Sequence, residues 1–367
     1  MSRWWIVIIG CWVSWANAVA PDVTSLPVQD VRNGTPVITQ LSLAELIPGD
    51  HRFYFRSIED RLGHPLEVPI RVVKGNDKGP VMMVMAGVYG DEAESLLMVH
   101  RYLDWLKSHE FDGTVVAVNG LNIPGLSSLS HLYPGDGRQI PSVSLNRLFP
   151  GRRDHVYPAG RFVFEFWSAV IEPNVDYLIE VHGASSDRVS PYYVFADFRD
   201  KRNKELARLL QPEIIKVDKG SLGTAETAFV KTGRPALTIV MGGDKIDRAK
   251  TVERVLHGLK NVSYHLELVA GHPEFAKEYK TLETNEMVTL RATSGGIVQY
   301  LVEPNMDLEE GYLLAIQFDV FGNVVEKYTA PISGRVMVVS GRSAIAAGEP
   351  VVRLARKNKD NTCQFGC

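Results

Sequence analysis

The chain has 367 residues, 45% of them hydrophobic and 23% charged, with 31 Gly, 20 Pro and a formal net charge of −3. That balance excludes a disordered chain, a collagen-like chain and a disulfide-dense miniprotein, and the length suits two domains. With 40 Lys and Arg against 43 Asp and Glu, there is no basic footprint for nucleic acid and no polybasic cluster for an anionic membrane surface.

Residues 1–18 read as a secretory signal peptide. Met1-Ser2-Arg3 supplies a positive charge, Trp4 to Trp15 an apolar stretch, and Ala16-Asn17-Ala18-Val19-Ala20 the small residues of a cleavage site. The apolar run is shorter than the ~20 residues of a membrane-spanning helix. Cleavage is expected after Ala18, because a cut after Ala20 would leave Pro21 first. A lipoprotein reading through Cys11 is set aside, since the segment before it is too short. The mature protein is therefore expected in the periplasm or secreted, with no stable membrane anchor. Cys363 and Cys367 remain in the tail, either paired in a small disulfide or as two free thiols.

Residues 19–65 are polar and Pro-bearing and read as a leader with one short strand. From 66 the pattern alternates. Leu66 to Val73 predicts a strand, and the apolar run Val81 to Ala86 a strand buried on both faces. Asp91 to Lys107 has helical spacing, and Thr114 to Val118 is a second buried strand. Gly120 to Arg153 is a long Gly-, Pro- and Ser-rich loop, a length that is usually functional. A helix follows at Phe162–Ile171, strands at Asp176–Val181 and Tyr192–Phe195, and a helix at Arg202–Leu210. The unit closes with a short helix at Thr224–Lys231, a buried strand at Ala236–Val240 and a long helix at Asp247–Leu268. This alternation predicts an α/β domain over 66–280 with a largely parallel or mixed central sheet. Over 285–356, short strands separated by turn residues predict an all-β module, and 357–367 is a tail.

Three short motifs fall at strand ends, where open α/β sheets bind ligands. Gly87-Val88-Tyr89-Gly90-Asp91-Glu92 joins the 81–86 strand to the next helix. Leu145-Asn146-Arg147-Leu148-Phe149-Pro150-Gly151 lies in the long loop. Glu180-Val181-His182-Gly183 ends the 176–181 strand.

Together these motifs resemble the succinylglutamate desuccinylase/aspartoacylase family, hydrolases related to the zinc carboxypeptidases. The family's motifs are G-x-H-G-x-E, D-L-N-R-x-F-P-G, D-x-H-G and a strand reading A-L-T-V-E-x-G-G. The last corresponds here to Ala236-Leu237-Thr238-Ile239-Val240-Met241-Gly242-Gly243. The resemblance runs from about residue 66 to 356. It includes Ala330-Pro331-Ile332-Ser333-Gly334-Arg335-Val336 and Gly348-Glu349-Pro350-Val351 of the β module. It implies an α/β fold with a zinc-carboxypeptidase-like mixed sheet flanked by helices, plus a small C-terminal barrel-sandwich-like module.

The resemblance also implies chemistry. Zinc would be held by Glu92 and His182, with Asn146 and Arg147 binding a substrate that carries a free carboxylate. A catalytic zinc keeps one position open for water and polarises the carbonyl. A guanidinium suits a carboxylate bidentately. The expected function is hydrolysis of an amide or peptide bond in an N-acyl amino acid or short, cell-wall-type peptide.

The sequence departs from the family at two central positions. Tyr89 replaces the first zinc His, and Val240 the catalytic Glu. Tyr89 could ligate only as a phenolate, from a pKa near ~10, and it reads equally as an aromatic wall. Some peptidoglycan-trimming carboxypeptidases of the same clan are similar in lacking that His. Val240 cannot carry a proton, so Glu180 and Glu226 are the candidate substitute bases. Glu180 shares a strand face with His182. Ser144 stands for the motif's Asp, and His131 lies near where many relatives carry a substrate-binding Arg. His100, His131, His257 and His265 otherwise read as ordinary surface or helix histidines, and Lys245 and Arg248 as solvated charges. The alternative function is an inactive relative that keeps the pocket to bind a carboxylate-bearing peptide or small ligand. The β module also resembles biotinyl and lipoyl carriers. Its turns at Val338–Arg342 and Phe321–Asn323 carry no Lys, so neither modification is expected.

Overall fold

A computed structural model describes residues 28–356 apart from 61, 77, 184–187 and 243–247. The signal segment 1–18, Gly243, Lys245, Cys363 and Cys367 lie outside the described residues. The first seven strands are β1 (Val28–Arg32), β2 (Thr35–Ile38), β3 (Gly49–Glu59), β4 (Pro65–Lys74), β5 (Val81–Ala86), β6 (Thr114–Asn119) and β7 (Tyr177–His182). They are followed by β8 (Arg188–Val189), β9 (Tyr193–Ala196), β10 (Ile214–Val217), β11 (Ala236–Val240) and β12 (Leu282–Thr284). The helices are α1 (Ala93–Lys107), α2 (Ile123–Ser128), α3 (Pro158–Phe166), α4 (Lys201–Leu209), α5 (Ala225–Val230) and α6 (Arg248–His265).

One mixed sheet of 11 strands organises the α/β part, in the order β1-β2-β3-β4-β6-β5-β7-β11-β9-β10-β12. At its centre β6, β5, β7 and β11 are all parallel. Their carboxyl ends therefore lie along one edge of the sheet. Both flanks reverse direction, with β4 antiparallel to β6 and β9 antiparallel to β11.

The apolar strands are explained by what covers them. Met82, Val84 and Ala86 of β5 pack with Val99 of α1, Leu206 of α4 and Leu259 of α6 on one face. Met83 and Met85 point the other way, against Phe162 of α3 and Phe229 of α5. A strand covered on both faces needs no polar positions, which is why Val81–Ala86 reads as a continuous run. Glu180 and Thr238 are buried exceptions in β7 and β11, and they mark the site.

The N-terminal segment departs from the sequence expectation. Instead of a leader with one short strand, it supplies β1, β2 and β3 to the large sheet. In β3, His51, Phe53 and Phe55 are buried while Arg52 is exposed and Tyr54 and Arg56 are half-buried. Long polar side chains on the outer face dilute the alternation that would have revealed the strand. The helix expected at 162–171 begins at Pro158 and closes with a π-helical turn at Trp167–Ile171. The strand β10 was not anticipated, because Ile214–Val217 is only 4 residues long.

The C-terminal part is all β, as expected. Its strands are β13 (Met287–Arg291), β14 (Gly296–Tyr300), β15 (Asp307–Leu308), β16 (Leu313–Phe318), β17 (Val324–Thr329), β18 (Gly334–Ser340), β19 (Ala344–Ile345) and β20 (Pro350–Arg356). They form two sheets, β13-β20-β18-β15 and β17-β16-β14-β19, enclosing Val298, Leu314, Val336 and Leu354. The two-residue β8 leaves the α/β unit to pair with β18, through Val339 with Val189 and Ser340 with Arg188. Among the described residues no helix is long and apolar enough to cross a membrane.

Candidate active site

The carboxyl ends of β5, β7 and β11 bring the sequence motifs together. After β5 the chain turns at Gly87, whose φ of +73° places it in the left-handed region. A Cβ at Gly90 would meet the backbone carbon of Gly125 at 2.0 Å, so only glycine lets this turn press against α2. The turn delivers Tyr89 and Glu92. Glu92 occupies the N-cap of α1, yet its side chain makes no capping hydrogen bond. It reaches across to β7, where Oε2 lies 2.9 Å from Nδ1 of His182.

His182 and Glu180 lie two apart in β7, and Nε2 of His182 is 2.9 Å from Oε1 of Glu180. In the register with β11, Glu180 faces Thr238 and His182 faces Val240. The Thr238 hydroxyl donates to Oε2 of Glu226 at 3.1 Å and lies 3.4 Å from Oε2 of Glu180. A buried polar row thus runs from Glu92 through His182, Glu180 and Thr238 to Glu226.

The long loop supplies the opposite wall. Ala225 N–H donates to Oδ1 of Asn146 at 3.0 Å, which turns Nδ2 toward Nε2 of His182, 3.4 Å away. Phe149 N–H donates to the carbonyl of Gly223 at 3.0 Å. Gly223 itself has φ +84°, and a Cβ there would lie 2.2 Å from the carbonyl oxygen of Arg147. Gly223→Ala is therefore expected to destabilise the protein by more than about 1 kcal/mol. The added Cβ would also push on the Arg147 backbone at the cavity wall. Thermal unfolding would read the effect. Arg147 is exposed, its guanidinium donates to the Asn146 carbonyl at 2.5 Å, and it has no carboxylate partner among the described residues.

One cavity of about 480 Å³ collects Tyr89, Glu92, Asn146, Arg147, His182 and Glu226, together with Val240. Glu180 does not line it and has no exposed surface. The two carboxylates proposed from sequence as substitute bases thus have different access: Glu226 faces the cavity and Glu180 stands behind His182.

The electrostatics follow from burial and neighbours. Burial alone would lower the pKa of His182, but the carboxylates of Glu180 and Glu92 outweigh it and hold the imidazole well above its ordinary value. Burial raises the Glu226 carboxyl well above the usual range, and the charge of Glu180 adds to this, against the opposing hydrogen bond from Thr238. Burial likewise pushes the Tyr193 phenol up to about 12.

The donor set fits a divalent cation. Glu92 and Nδ1 of His182 face each other at ligand spacing, and the second His182 nitrogen is backed by a carboxylate, as ligating histidines usually are. Binding would displace the proton that Nδ1 shares with Glu92. A further group adjoins them: ligand atoms of Asp91, Glu92 and His131 lie within 4.8 Å of one another. His131, read from sequence as an ordinary histidine or near an arginine position, lines the cavity.

Sequence reasoning missed the wall given by the C-terminal module, where Val338 and Arg353 line the cavity with Arg188 and Tyr193. Arg353 lies in mid-strand, and no local motif marks it. It reaches the site through β20's pairing with β18, which pairs with β8 and packs Met337 against Ile214.

Known proteins share this fold. Residues 78–266 match the family model of the succinylglutamate desuccinylase/aspartoacylase catalytic domain. A curated relative, the N-alpha-acetyl-L-2,4-diaminobutyric acid deacetylase of Halomonas elongata, is 23% identical over 220 residues. That match covers 58% of this chain and 61% of the relative's length. Among solved structures, the succinylglutamate desuccinylase/aspartoacylase of Rhodobacter sphaeroides superposes with a TM-score of 0.72 at 21% identity, covering 85% of this chain and 97% of that one. The product-bound ectoine utilization protein EutE of Ruegeria pomeroyi gives 0.72 at 18% identity, covering 84% and 96%. With the family model spanning half the sequence and the same fold in these structures, the chain belongs to the succinylglutamate desuccinylase/aspartoacylase family.

Proposed function

We propose that the protein is an exported, zinc-dependent hydrolase of the amide bond in N-acyl amino acids or short peptides bearing a free carboxylate. The observation that carries this reading is the convergence of Glu92 and His182 with Asn146 and Arg147 on one cavity. The family match and the deacetylase relative support hydrolysis of N-acyl amino acids. The apolar N-terminal segment supports export.

Zinc bound at Glu92 and His182 would polarise the scissile carbonyl and make hydroxide available near neutral pH. The remaining work belongs to the chain. Arg147 anchors the substrate carboxylate, having no carboxylate partner among the described residues to compete for it. Asn146 Nδ2, fixed by the Ala225 N–H on its other end, steadies the carbonyl oxygen. Glu226, in the cavity with its carboxyl raised by burial, takes a proton from the attacking water and passes it to the leaving amine. Glu180 keeps the His182 ring in place.

One observation favours the second reading, a binding protein without catalysis. Val240 occupies the cavity wall beside His182, where the family pattern has its carboxylate. Release of free amine from a panel of N-acetyl and N-succinyl amino acids, with and without chelator, separates the two readings. Chelator-sensitive turnover is the expected result. Tight binding of the same compounds without turnover would establish the non-catalytic reading.

A further inference from the structure

The C-terminal module closes the cavity with charge that the proposed chemistry does not use. In the large sheet Val240 faces His182 of β7 on one side and Tyr193 of β9 on the other. With neighbouring strands about 4.8 Å apart, the backbone of Tyr193 stands about 10 Å from that of His182, on the same face. Tyr193 and Val338 of β18 both pack on the small cluster of Ile214, Met337 and Ala355 that joins the α/β unit to the module. Arg353 of β20 lies opposite Val338 in the register, and its Nε donates to the Thr289 hydroxyl on the next strand at 3.1 Å.

Guanidiniums gather along this wall. Arg188 and Arg353 line the main cavity, and with Val338 they also line an adjoining cavity of about 130 Å³ that reaches Ser340 and Arg342. Arg342 lies 3.6 Å from Glu349. Arg353 is half-buried and has no carboxylate partner among the described residues. Burial lowers its pKa, the Tyr193 phenol opposes this, and the charges of Arg188 and Arg291 lower it further. The carboxylates of the main cavity are engaged elsewhere: Asp218 with Lys216 at 2.9 Å, Glu226 with Thr238 and Glu92 with His182. Tyr193 adds a hydroxyl with no hydrogen bond among the described residues, on a phenol that burial keeps protonated. A carboxylate placed here would meet a guanidinium and a phenol as donors and relieve the repulsion among the arginines.

We propose that Arg353, assisted by Tyr193, forms an anion subsite for the acyl side of the substrate, and that this acyl part is a peptide with an acidic residue at the scissile bond. The proposal rests on the hydrolase reading given above, in which Arg147 takes the free carboxylate of the leaving amino acid. A Glu side chain reaching outward from the scissile carbonyl, and Arg353 and Tyr193 reaching inward, close the span between His182 and the module. The groove favours a peptide over a shorter acyl group. Beyond Val338, β18 continues to Ser340 for about 7 Å, room for about two more residues of extended chain. The second cavity follows that course to the exposed Arg342. A dicarboxylic acyl group would end at Arg353 and leave this extension empty.

Binding of reduced-amide analogues, which keep their carboxylates and cannot be hydrolysed, tests the subsite without reference to turnover. The probes are N-acetyl-Ala-Glu-Ala with the Glu–Ala amide reduced, its Gln counterpart, and N-succinyl-alanine reduced in the same way. Calorimetry on the wild-type protein should show the Glu probe bound about 10–100-fold more tightly than the Gln probe, the range of hydrogen bonds to a charged group. Arg353→Met should bring the two probes to near parity. Its affinity for the Gln probe should stay at the wild-type value, which also shows that the variant is folded. Arg353→Lys should keep part of the preference, and Tyr193→Phe should lower it less than Arg353→Met does. Arg147→Met should weaken both probes alike and leave their ratio intact. Equal binding of the Glu and Gln probes by wild type, binding of neither, or a preference that survives Arg353→Met overturns the assignment. A succinyl probe bound as tightly as the Glu probe overturns it too, because the extension past Arg353 would then contribute nothing. Alanine release from unreduced N-acetyl-Ala-Glu-Ala is measured in parallel. Its absence beside an Arg353-dependent preference overturns the hydrolase reading alone and leaves the subsite as a peptide-binding one.

Discussion

Replacing Glu226 by Gln is expected to lower kcat by about 10²–10⁴-fold, the usual cost of losing a general acid–base group, with zinc content unchanged. Glu226 lies in the cavity but touches Thr238 rather than the proposed metal ligands, so its loss should spare metal binding. The same substitution has a stability signature. The folded-state pKa of Glu226 is raised by burial, so above the unfolded pKa of about 4.3 the folded chain holds more protons than the unfolded one. Stability attributable to this residue therefore falls as pH rises from that value through the folded pKa. Glu226→Gln removes the titration. The variant should gain stability over wild type at neutral pH, and the advantage should vanish below about pH 4. Denaturant unfolding at both pH values, beside steady-state kinetics, checks the pair of effects. Unchanged kcat would remove Glu226 from the mechanism whatever the stability data show.

The double substitution Tyr89→His with Val240→Glu should raise hydrolysis of N-acyl amino acids by about 10²-fold or more, because a dedicated proton carrier is restored beside a third protein donor at the proposed metal site. The singles should not sum to this gain, since residues of one catalytic unit couple. Tyr89→His alone adds an imidazole donor and should tighten zinc binding. Val240→Glu alone should destabilise. It places a carboxylate directly across the strand pair from His182, on a sheet face that already buries Glu180 and carries Glu226 close by. A further like charge beside the buried carboxylates of Glu180 and Glu226 is costly. Turnover and unfolding midpoints of the three variants provide the comparison. A double variant slower than wild type would mean that Tyr89 works in the native site as it stands.

Much of this site was legible because its residues sit at strand ends inside short local motifs. The β5 run and the Val115–Val118 stretch of β6 are continuous and apolar, and their positions follow directly from burial on both faces. Glu92, Asn146, Arg147 and His182 came from three such motifs, and the parallel order of β5, β7 and β11 explains why they meet. What was hidden depended on long-range pairing. Arg353 reaches the cavity through the pairing of β8 with β18 and the packing of Met337 on Ile214, partnerships that no local pattern encodes. His131 looked like one of several surface histidines until the Gly90–Ser130 hydrogen bond fixed its place beside Tyr89. The strands β1 to β3 were obscured by arginines and polar residues on the outer face. The helix that covers them comes from far along the chain, where Phe55 of β3 packs on Phe166 of α3.

The most direct test of a zinc centre built on Glu92 and His182 is metal analysis of the purified protein beside its His182→Ala variant. The account predicts about one zinc per chain in the wild-type protein, as a mononuclear catalytic site requires, and a large loss in the variant. Equal zinc content in the two proteins would contradict it.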